Sequence, residues 1–353
     1  MKLFHKLISG VIVIAVLFAH NDKTFGQTMK DNTVEILRTP DTHFQNLPNY
    51  NFQPNYLNIP FNGQQLKMHY LDEGDKNAVE TVVLLHGQPS WSYLYRNVIP
   101  HLVEAGYRVI APDLIGFGKS DKLGKVSDYT YDRQEEWLRS ALFDQLKLRK
   151  ITLYAQDWGG LLSLRIVAFH PEYFKRIMIA NTALPSGDKN SNFFPDDAPR
   201  MRKVTFGSKT WRLFARRSPV FPIGKMAQKM ASETKMTKAE QKGYDAPFPS
   251  NKYKTGPRAM PSLIPQSANN PDAVRNRKAW KLLANFDKPF RTAFSDKDFS
   301  STMLPGGEKH VQKHIKGAHD QEHVVIPNAG HFLQEDQPEL VAKEIVRFIL
   351  ENP

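Results

Sequence analysis

Cysteine is absent from the chain. The protein can therefore form no disulfide bond, and it offers no cysteine to which a lipid could be attached. Internal repeats, low-complexity tracts and recognisable nucleic-acid-binding modules are also missing from the sequence. The lysines and arginines behind the net charge of +12 are scattered and show no alternation with aromatic residues. We therefore expect a solvated basic surface and no nucleic-acid partner.

The apolar run Leu7–Ala19 is shorter than the roughly 20 residues that a membrane-spanning helix needs. It follows a short basic segment, and the small residues Thr24 and Gly26 precede Gln27. This pattern predicts a secretory signal peptide over residues 1–26, with an uncleaved membrane anchor as the alternative. We expect the mature chain to be periplasmic or secreted, without stable insertion into a membrane.

Strand-like and helical segments alternate along most of the 353 residues. The length suits one large α/β core with an inserted subdomain, or two modest domains. The turn Asn62-Gly63 predicts a hairpin between Tyr56–Pro60 and Gln65–Asp72. Further strands are predicted at Thr81–Leu85, Arg108–Ala111, Lys150–Tyr154, Ile177–Ala180, Pro289–Ser295 and Glu322–Ile326, and helices at Leu94–Ala105, Asp132–Leu146, Leu161–Phe169 and Pro338–Leu350. This alternation predicts the α/β class, with a mainly parallel sheet flanked by helices.

The alternation stops between about Leu184 and Pro265, where proline, lysine and phenylalanine are frequent and strand signals are absent. Short helices fit this region better, for instance near Lys209–Arg217 and Lys238–Tyr244. We expect an inserted helical cap over the carboxyl ends of the strands, where open α/β sheets bind ligands. The predicted parts of the mature chain are an N-terminal arm (27–51), a first core segment (52–183), the helical cap (184–265) and a second core segment (266–353).

The segment Gln156-Asp157-Trp158-Gly159-Gly160 joins a predicted buried strand to a predicted helix. Ala155 and Gly159, two residues before and after Asp157, are small enough for a sharp turn between the two elements. Such an elbow holds its central side chain up at the carboxyl edge of the sheet, usually to present a serine nucleophile. Here the central residue is a carboxylate, and we predict that Asp157 is the nucleophile.

Two later turns carry ionisable residues that could assist Asp157. Asp296 and Asp298 follow one predicted strand, and His331 follows the last one. The order nucleophile, acid, histidine along the chain is that of α/β-hydrolase triads. We predict His331 as the base and Asp298 as the acid that orients it, with Asp296 as the competing candidate.

A carboxylate nucleophile and a neutral histidine fit a reaction in two steps. Asp157 would attack an sp³ carbon and form an alkyl ester. His331, kept in the right tautomer by Asp298, would then deprotonate a water molecule that attacks the ester carbonyl. The backbone N–H groups of Gln88 and Trp158 are expected to stabilise the resulting oxyanion, and losing one such donor costs roughly 3–4 kcal/mol in related chemistry.

The leaving group separates the possible substrates. A halide leaves as an anion without a proton, and the indole N–H groups of Trp158 and Trp211 are suited to hold it in a dry pocket. An epoxide oxygen instead needs a proton, for which Tyr244 and Tyr253 are the candidates in the cap. The residue pattern leaves both reactions open.

Motifs spread over about Asn51–Asn352 resemble those of haloalkane dehalogenases. The motifs are His86-Gly87-Gln88-Pro89-Ser90-Trp91-Ser92-Tyr93-Leu94-Tyr95-Arg96, Ile110-Ala111-Pro112-Asp113-Leu114-Ile115-Gly116-Phe117-Gly118-Lys119-Ser120-Asp121-Lys122, the Asp157 elbow, and Tyr244-Asp245-Ala246-Pro247-Phe248-Pro249 with Tyr253, Gly256 and Pro261. The cap motif discriminates best, because epoxide hydrolases share the elbow but resemble this cap much less. The resemblance implies an α/β-hydrolase fold and hydrolysis of a small halogenated aliphatic substrate by water, giving alcohol, halide and a proton, with no cofactor and no metal.

Within that family, the chain resembles the subgroup whose catalytic acid follows the later strand, here Asp298. Another subgroup carries an acid at the position of Asn181, which cannot ionise. The resemblance implies a halide site formed by Trp158 and Trp211, with support from Gln88.

Two features depart from the family pattern, and two alternatives to dehalogenation stay open. Phe299 follows Asp298 where proline is common, and the segment Phe206–Thr210 before Trp211 is polar for a pocket wall. The resemblance makes Tyr244 and Tyr253 part of the cap framework. An epoxide hydrolase with the same nucleophile is the rival enzyme, and a non-catalytic ligand-binding protein on the same fold is the rival of another class. We expect a monomer.

Overall fold

The computed structural model describes residues 33–187, 206–299 and 307–353. The predicted signal peptide at 1–26 therefore lies outside the described residues, as do the beginning of the predicted arm and part of the first half of the predicted cap. Among the described helices, none combines the length and the apolar character needed to cross a bilayer.

A mainly parallel sheet forms the centre of the protein. The described strands are β1 (Ile36–Leu37), β2 (Asn55–Phe61), β3 (Gln64–Glu73), β4 (Thr81–Leu85), β5 (Arg108–Pro112), β6 (Lys122–Leu123), β7 (Ile151–Gln156), β8 (Phe174–Ala180), β9 (Phe290–Ser295) and β10 (Val324–Ile326). Eight of them form one sheet in the order β10-β9-β8-β7-β4-β5-β3-β2, while β1 and β6 pair separately. In this order, every pair of neighbouring strands from β10 to β5 is parallel, and β3 and β2 add an antiparallel edge. The predicted fold class is confirmed.

The burial of the strands explains their composition. All six residues of β7 are buried, because helices cover both faces of a parallel sheet, and the strand accordingly contains no charged residue. The edge strand β2 alternates more buried and exposed residues instead, while β3, which lies between β2 and β5, is mostly covered. The turn residues Asn62 and Gly63 between β2 and β3 have φ angles of 48° and 76°, as a tight two-residue hairpin turn requires.

Helices cover the sheet and form the cap. The described α-helices are α1 (Ile99–Glu104), α2 (Tyr131–Arg139), α3 (Trp158–Phe169), α4 (Phe206–Arg217), α5 (Ile223–Met230), α6 (Lys238–Asp245), α7 (Thr255–Leu263), α8 (Pro271–Leu283), α9 (Gly307–His314), α10 (Leu333–Asp336) and α11 (Pro338–Glu351). Helices α4 to α7 belong to the insertion, and α8 returns to the core, where Arg165 of α3 pairs with Asp272 at 2.9 Å.

Two predicted helices differ from the structure. The helix predicted at Leu94–Ala105 is a single 3₁₀ turn at Ser92–Tyr95 followed by the short α1, because Pro100 lacks an N–H and fits the first turn of a helix but not its interior. The helix predicted at Asp132–Leu146 is α2 followed by one π-helical turn at Ser140–Gln145. In the cap, α5 and α7 were not predicted, and α7 contains Pro261.

The N-terminal arm crosses from the core to the cap. Arg38 forms a bidentate ion pair with the buried carboxylate of Asp121 at 2.8 Å. One residue later, the hydroxyl of Thr39 donates to the carbonyl oxygen of Pro247 in the cap at 2.6 Å. The arm therefore ties a cap loop to the edge of the sheet.

Candidate active site

Asp157 occupies the turn between β7 and α3. Its backbone has φ 50° and ψ −122°, and holding a residue other than glycine in such a conformation costs on the order of 1–3 kcal/mol. The turn passes close to the neighbouring strand, since a Cβ atom at Gly159 would lie 2.3 Å from the carbonyl oxygen of Leu85. The packing of the glycine and the strand ends therefore keeps Asp157 at the carboxyl edge of the sheet.

The loop after β4 anchors one oxygen of the Asp157 carboxylate. The backbone N–H of Gln88 donates to Oδ1 at 2.7 Å. Gly87 lies so close that a Cβ there would be 2.3 Å from the same oxygen. The Asp157 side chain still keeps 22% of its surface exposed. The carboxylate is thus held by a neutral donor and remains accessible to a small molecule.

Two further donors near Asp157 were predicted: the backbone N–H of Trp158 and the side-chain amide of Gln88. Trp158 is the first residue of α3, where backbone N–H groups have no partner within the helix. Its part in an oxyanion site stays a prediction. The side-chain amide of Gln88 donates to the carbonyl oxygen of Pro257 in α7 at 3.1 Å, so this residue also connects the core to the cap.

His331 lies between two carboxylates. Its Nδ1 is 2.9 Å from Oδ1 of Asp298, and its Nε2 is 3.5 Å from Oδ2 of Asp157. The imidazole and the Asp298 carboxylate are both buried. The structure thus brings together the three residues predicted as nucleophile, base and acid, although they come from three different loops.

The charges around His331 decide its protonation state. Burial opposes the charged form and lowers the pKa, but the carboxylates of Asp298 and Asp157 outweigh burial and raise the pKa of His331 to about 10. The sequence suggested a neutral histidine, whereas the resting site favours an imidazolium between two anions. Neutralising Asp157 would remove one of the two charges that hold this proton.

The competing acid, Asp296, contacts backbone rather than the imidazole. Its carboxylate accepts the N–H groups of Asn328 and Ala329 at 3.0 and 3.1 Å. These hydrogen bonds lower the pKa of Asp296. Asp296 therefore holds the loop that leads to His331, while Asp298 faces the ring. Phe299, which follows Asp298, packs against the imidazole, with its ring centre 5.1 Å from that of His331.

Sequence reasoning missed two amides that hold the histidine loop. The amide nitrogen of Gln156 donates to the carbonyl oxygen of His331 at 3.0 Å and lies 3.1 Å from Nε2 of the ring. Asn181 donates to the same carbonyl at 3.1 Å, and its own oxygen accepts the N–H of Ser295 at 3.0 Å. Gln156 is the last residue of β7 and Asn181 directly follows β8, and this position at the carboxyl end of a parallel strand is the signal in the sequence that could have indicated them.

The indole N–H groups fall into two sets. Those of Trp91 and Trp280 donate to the backbone carbonyls of Gly243 and Leu184. Within the described parts of the chain, no protein acceptor is found for those of Trp137, Trp158 and Trp211, and Trp137 packs in a separate core cluster against Phe61. Trp158 is buried and packs against Tyr131, with ring centres 5.2 Å apart.

Trp211 lies on α4 of the cap. Its ring stacks on Phe214 and Phe221 at 5.9 and 6.1 Å between centres. These contacts place the indole within the cap's own aromatic cluster. The pairing of Trp211 with Trp158 around one anion stays a prediction.

The two cap tyrosines have different environments. The hydroxyl of Tyr244 is buried and donates to Glu335, which also pairs with Arg96. Burial, together with the neighbouring Glu335 carboxylate, raises the pKa of Tyr244 well above its usual value. Tyr244 is therefore committed to the framework. Tyr253 is half-buried and packs against the core.

The described residues contain no group of three or more His, Asp or Glu side chains arranged to hold a metal ion. The groups that the described residues bring to the site are a carboxylate, an imidazole and backbone N–H donors. A carboxylate anchored on one oxygen can attack a carbon with the other. An adjacent imidazole can then handle the proton of a water molecule.

Comparison with known proteins identifies the family of the chain. Residues 80–338 match the family model described as the alpha/beta hydrolase fold. The chain is 47% identical to a haloalkane dehalogenase of Psychrobacter cryohalolentis, over 91% of this chain and 100% of that protein. It is 43% identical to a haloalkane dehalogenase of Mycobacterium marinum, over 89% of this chain and 99% of the relative.

A solved structure is similar over the same region. The tetrameric haloalkane dehalogenase of Paraglaciecola agarilytica superimposes with a TM-score of 0.77 at 33% identity. The match covers 88% of this chain and 97% of the other. The similarity extends over both the core and the cap, so it is not confined to the common elbow.

Proposed function

The chain belongs to the haloalkane dehalogenases of the α/β-hydrolase fold, and from this premise we propose that it hydrolyses haloalkanes to an alcohol, a halide ion and a proton. The observation that carries the proposal is the contact of Asp157, Gln88 and His331: a carboxylate held on one oxygen by a backbone N–H, with an imidazole 3.5 Å from the other oxygen. The relatives supply the substrate class.

The first step is an alkylation. Oδ2 of Asp157 attacks the carbon that bears the halogen, a C–O bond forms, and the carbon–halogen bond breaks with its electron pair leaving on the halide. This step needs Asp157 as a carboxylate and needs no proton transfer. The imidazolium form of His331 in the resting site is therefore compatible with it.

The second step is the hydrolysis of the ester. Water attacks the carboxyl carbon of Asp157 and gives its proton to Nε2 of His331, and negative charge develops on Oδ1, where the N–H of Gln88 already donates at 2.7 Å. Collapse of the intermediate passes its hydroxyl proton to the departing alkoxide, which releases the alcohol and restores the carboxylate. Esterification removes the charge of Asp157 and thereby lowers the pKa of His331. Before hydrolysis the imidazolium gives its proton to solvent, which is the proton of the overall reaction, and the neutral ring can then accept the proton of the attacking water.

We assign the halide to Trp158 and Trp211. Among the described residues, no protein acceptor is found for their indole N–H groups, whereas those of Trp91 and Trp280 donate to backbone carbonyls. Trp137 also lacks such an acceptor, but it packs in a separate core cluster, whereas Trp158 directly follows Asp157. A departing halide needs donors without formal charge and without competing acceptors, which supports this choice. Gln88 supports the site from the core side through its contacts with Asp157 and Pro257.

The epoxide-hydrolase alternative loses one of its two candidate proton donors. An epoxide oxygen needs a proton donor, and the hydroxyl of Tyr244 is committed to Glu335, which leaves Tyr253 as the candidate for that role. The third possibility, a binding protein without activity, does not account for the buried contact between His331 and Asp298 beside an accessible Asp157 carboxylate.

The test of the proposed function uses the native protein and His331→Phe. The native protein should release halide from chloro-, bromo- and iodoalkanes. His331→Phe should be alkylated but should not hydrolyse the ester, so intact-mass spectrometry should show a gain equal to the alkyl group. Asp157→Asn should show neither adduct nor halide release. Absence of halide release by the native protein over the whole panel would contradict the proposal.

We further propose that the chain is exported through the signal peptide at 1–26, that its cap comprises residues 184–265, and that it acts as a monomer in the periplasm or outside the cell. N-terminal sequencing of the mature protein and light scattering test export and subunit number. A tetramer, as described for the Paraglaciecola agarilytica enzyme, would contradict the monomer.

A further inference from the structure

The loop that carries His331 is attached to the cap as well as to the core. We call residues 328–332 the histidine loop. Residues 230–234, which begin at the last residue of α5, are called the cap linker. The N–H of Phe332 donates to the carbonyl oxygen of Met230 at 2.9 Å. Gly330 packs directly on the cap linker, because a Cβ atom there would lie 2.7 Å from the carbonyl oxygen of Met230. Both neighbours of His331 in sequence therefore touch the cap.

One carboxylate, Asp336, bridges the same two segments. Its Oδ2 accepts the N–H of Gly330 at 2.8 Å, immediately before His331. Its Oδ1 accepts the N–H groups of Thr234 and Glu233 at 2.7 and 3.2 Å. An ionised carboxylate offers two oxygens and several lone pairs, so it can accept all three N–H groups. An amide offers one oxygen and cannot replace it.

The acid turn reaches the cap linker too. The ammonium group of Lys297, between Asp296 and Asp298, lies 2.6 Å from a carboxylate oxygen of Glu233. Both side chains are partly exposed, so this ion pair alone is worth little. It shows, however, that the cap linker contacts both loops that carry the base and the acid.

The nucleophile is held differently. Oδ1 of Asp157 accepts from Gln88 in the loop after β4, and the carbonyl oxygen of Asp157 accepts from the hydroxyl of Thr182 after β8. Both partners belong to loops at the carboxyl ends of core strands, and neither is part of the cap linker. A change in the contacts of the cap linker should therefore affect His331 more than Asp157.

We infer that Asp336 is a positioning residue for the second half of the reaction, and that it holds His331 against water and ester by bonding the histidine loop to the cap linker. This inference rests on the proposed function. Alkylation uses Asp157 and is independent of the bridge, whereas hydrolysis needs Nε2 of His331 within reach of a water molecule at the ester carbonyl. Misplacing a catalytic group by about 1 Å can cost about 10²-fold in rate.

The experiment compares Asp336→Asn with the native protein in single-turnover and steady-state kinetics with a bromoalkane. The rate of ester hydrolysis should fall about 10- to 100-fold, while the rate of alkylation should change less than about 2-fold. The alkylated protein should then accumulate during turnover and be visible by intact-mass spectrometry. Loss of stability alone would reduce the active fraction and lower both rates equally, without accumulation of ester.

Asp245→Asn is the matched control. Asp245 also accepts a backbone N–H within the cap, from Gly224 at 3.0 Å, but it does not contact the histidine loop. The Asp245→Asn variant should leave the ratio of the hydrolysis rate to the alkylation rate unchanged. Asp336→Glu keeps the charge on a longer arm and should show a smaller loss of hydrolysis than the asparagine variant. If Asp336→Asn does not fold, Asp336→Glu is judged by the same ratio.

The outcomes separate this inference from the proposed function. If the native protein is not alkylated by haloalkanes, the proposed function fails. If the native protein turns over and the Asp336 variants hydrolyse the ester at the native rate, or lose alkylation and hydrolysis in parallel, the positioning role of Asp336 is wrong while the proposed function stands.

Discussion

At the scale of single residues, the site depends on how two carboxylates share one imidazole. Asp298 is 2.9 Å from Nδ1 of His331, and Asp157 is 3.5 Å from Nε2. The two charges overcome the cost of burying an imidazolium. Because the reaction removes and restores the charge of Asp157, the same histidine can be protonated during alkylation and become a base after it.

Replacing Asp157 with asparagine should lower the pKa of His331. The substitution removes one of the two anions that raise this pKa to about 10 and keeps the shape of the side chain, while burial and Asp298 remain. The histidine should therefore lose its proton at lower pH in Asp157→Asn than in the native protein. NMR titration of ¹⁵N-labelled histidine measures the pKa of His331, and the His331→Gln variant assigns its signal.

Asp75→Asn, on an exposed loop, is the control and should leave this pKa unchanged. An unchanged pKa of His331 in Asp157→Asn would contradict the role of the Asp157 charge.

Replacing Trp211 with phenylalanine should weaken bromide binding about 10-fold or more. A hydrogen bond to a charged group contributes about 1.5–3 kcal/mol, and about 1.4 kcal/mol is a factor of ten. Trp158→Phe should act in the same direction. Inhibition of turnover by added bromide gives the affinity. Trp280→Phe is the matched control, because its N–H is bound to Leu184 and bromide affinity should not change. Equal affinity in Trp211→Phe would exclude that indole from the halide site.

At the scale of elements, the strand-to-helix turn is specified by close packing as well as by local sequence. Gly159 lies against the end of β4, and a Cβ at Gly160 would be 2.3 Å from the hydroxyl oxygen of Thr182. The sequence indicated the turn through its small residues. It could not indicate that the partners of those glycines come from the ends of two other strands.

Replacing Gly159 with alanine should destabilise the protein by about 1–3 kcal/mol, because the added methyl group would meet the backbone of Leu85 and His86, which cannot move without disturbing β4. Chemical denaturation measures the free energy of unfolding. Gly307→Ala is the control, since a Cβ atom at Gly307 would lie 3.4 Å from Cβ of Ala183, which is an ordinary van der Waals contact. Equal stability of the two variants would show that the elbow is not tightly packed.

At the scale of the whole molecule, a buried ion pair within the core and a tyrosine of the cap form one network. Arg96 follows the 3₁₀ turn after β4, Glu335 lies on α10, and Tyr244 on α6 donates to the same carboxylate. Arg96 also packs on the ring of Tyr93, with 4.1 Å to its centre. The network positions a cap helix against the segment that follows His331.

Replacing Arg96 with methionine should cost about 3–5 kcal/mol of stability, because it leaves the buried carboxylate of Glu335 without its cation. Thermal and chemical unfolding measure the loss. Arg139→Met is the control, since its partners Glu136 and Asp144 are exposed and such pairs contribute about 0–1 kcal/mol. Adding Glu335→Leu to Arg96→Met should recover part of the loss, and a double variant no better than Arg96→Met would argue against an unpaired charge as the cause.

Much of the fold was determined by the sequence alone, since the apolar runs of parallel strands and the turns between them are local signals. The predicted β4 at Thr81–Leu85 coincides with the observed strand. Strands β5 and β9 differ from their predictions by one residue at one end, and β7 differs by one residue at its start and two at its end. The helix predicted from Leu94 failed because Pro100 restricts where a helix can begin. Asp157 and His331 could also be predicted as candidate catalytic residues, because each follows a predicted strand and this position is visible in the local sequence.

The tertiary structure alone decided which of these residues meet. Asp296 and Asp298 are two positions apart in one turn, and only the path of that turn shows that Asp298 faces the imidazole while Asp296 binds the backbone of the histidine loop. The bridge from Asp336 to the cap linker joins residues about a hundred positions apart. Such contacts depend on how segments distant in sequence pack together, and that packing leaves no local pattern in the sequence.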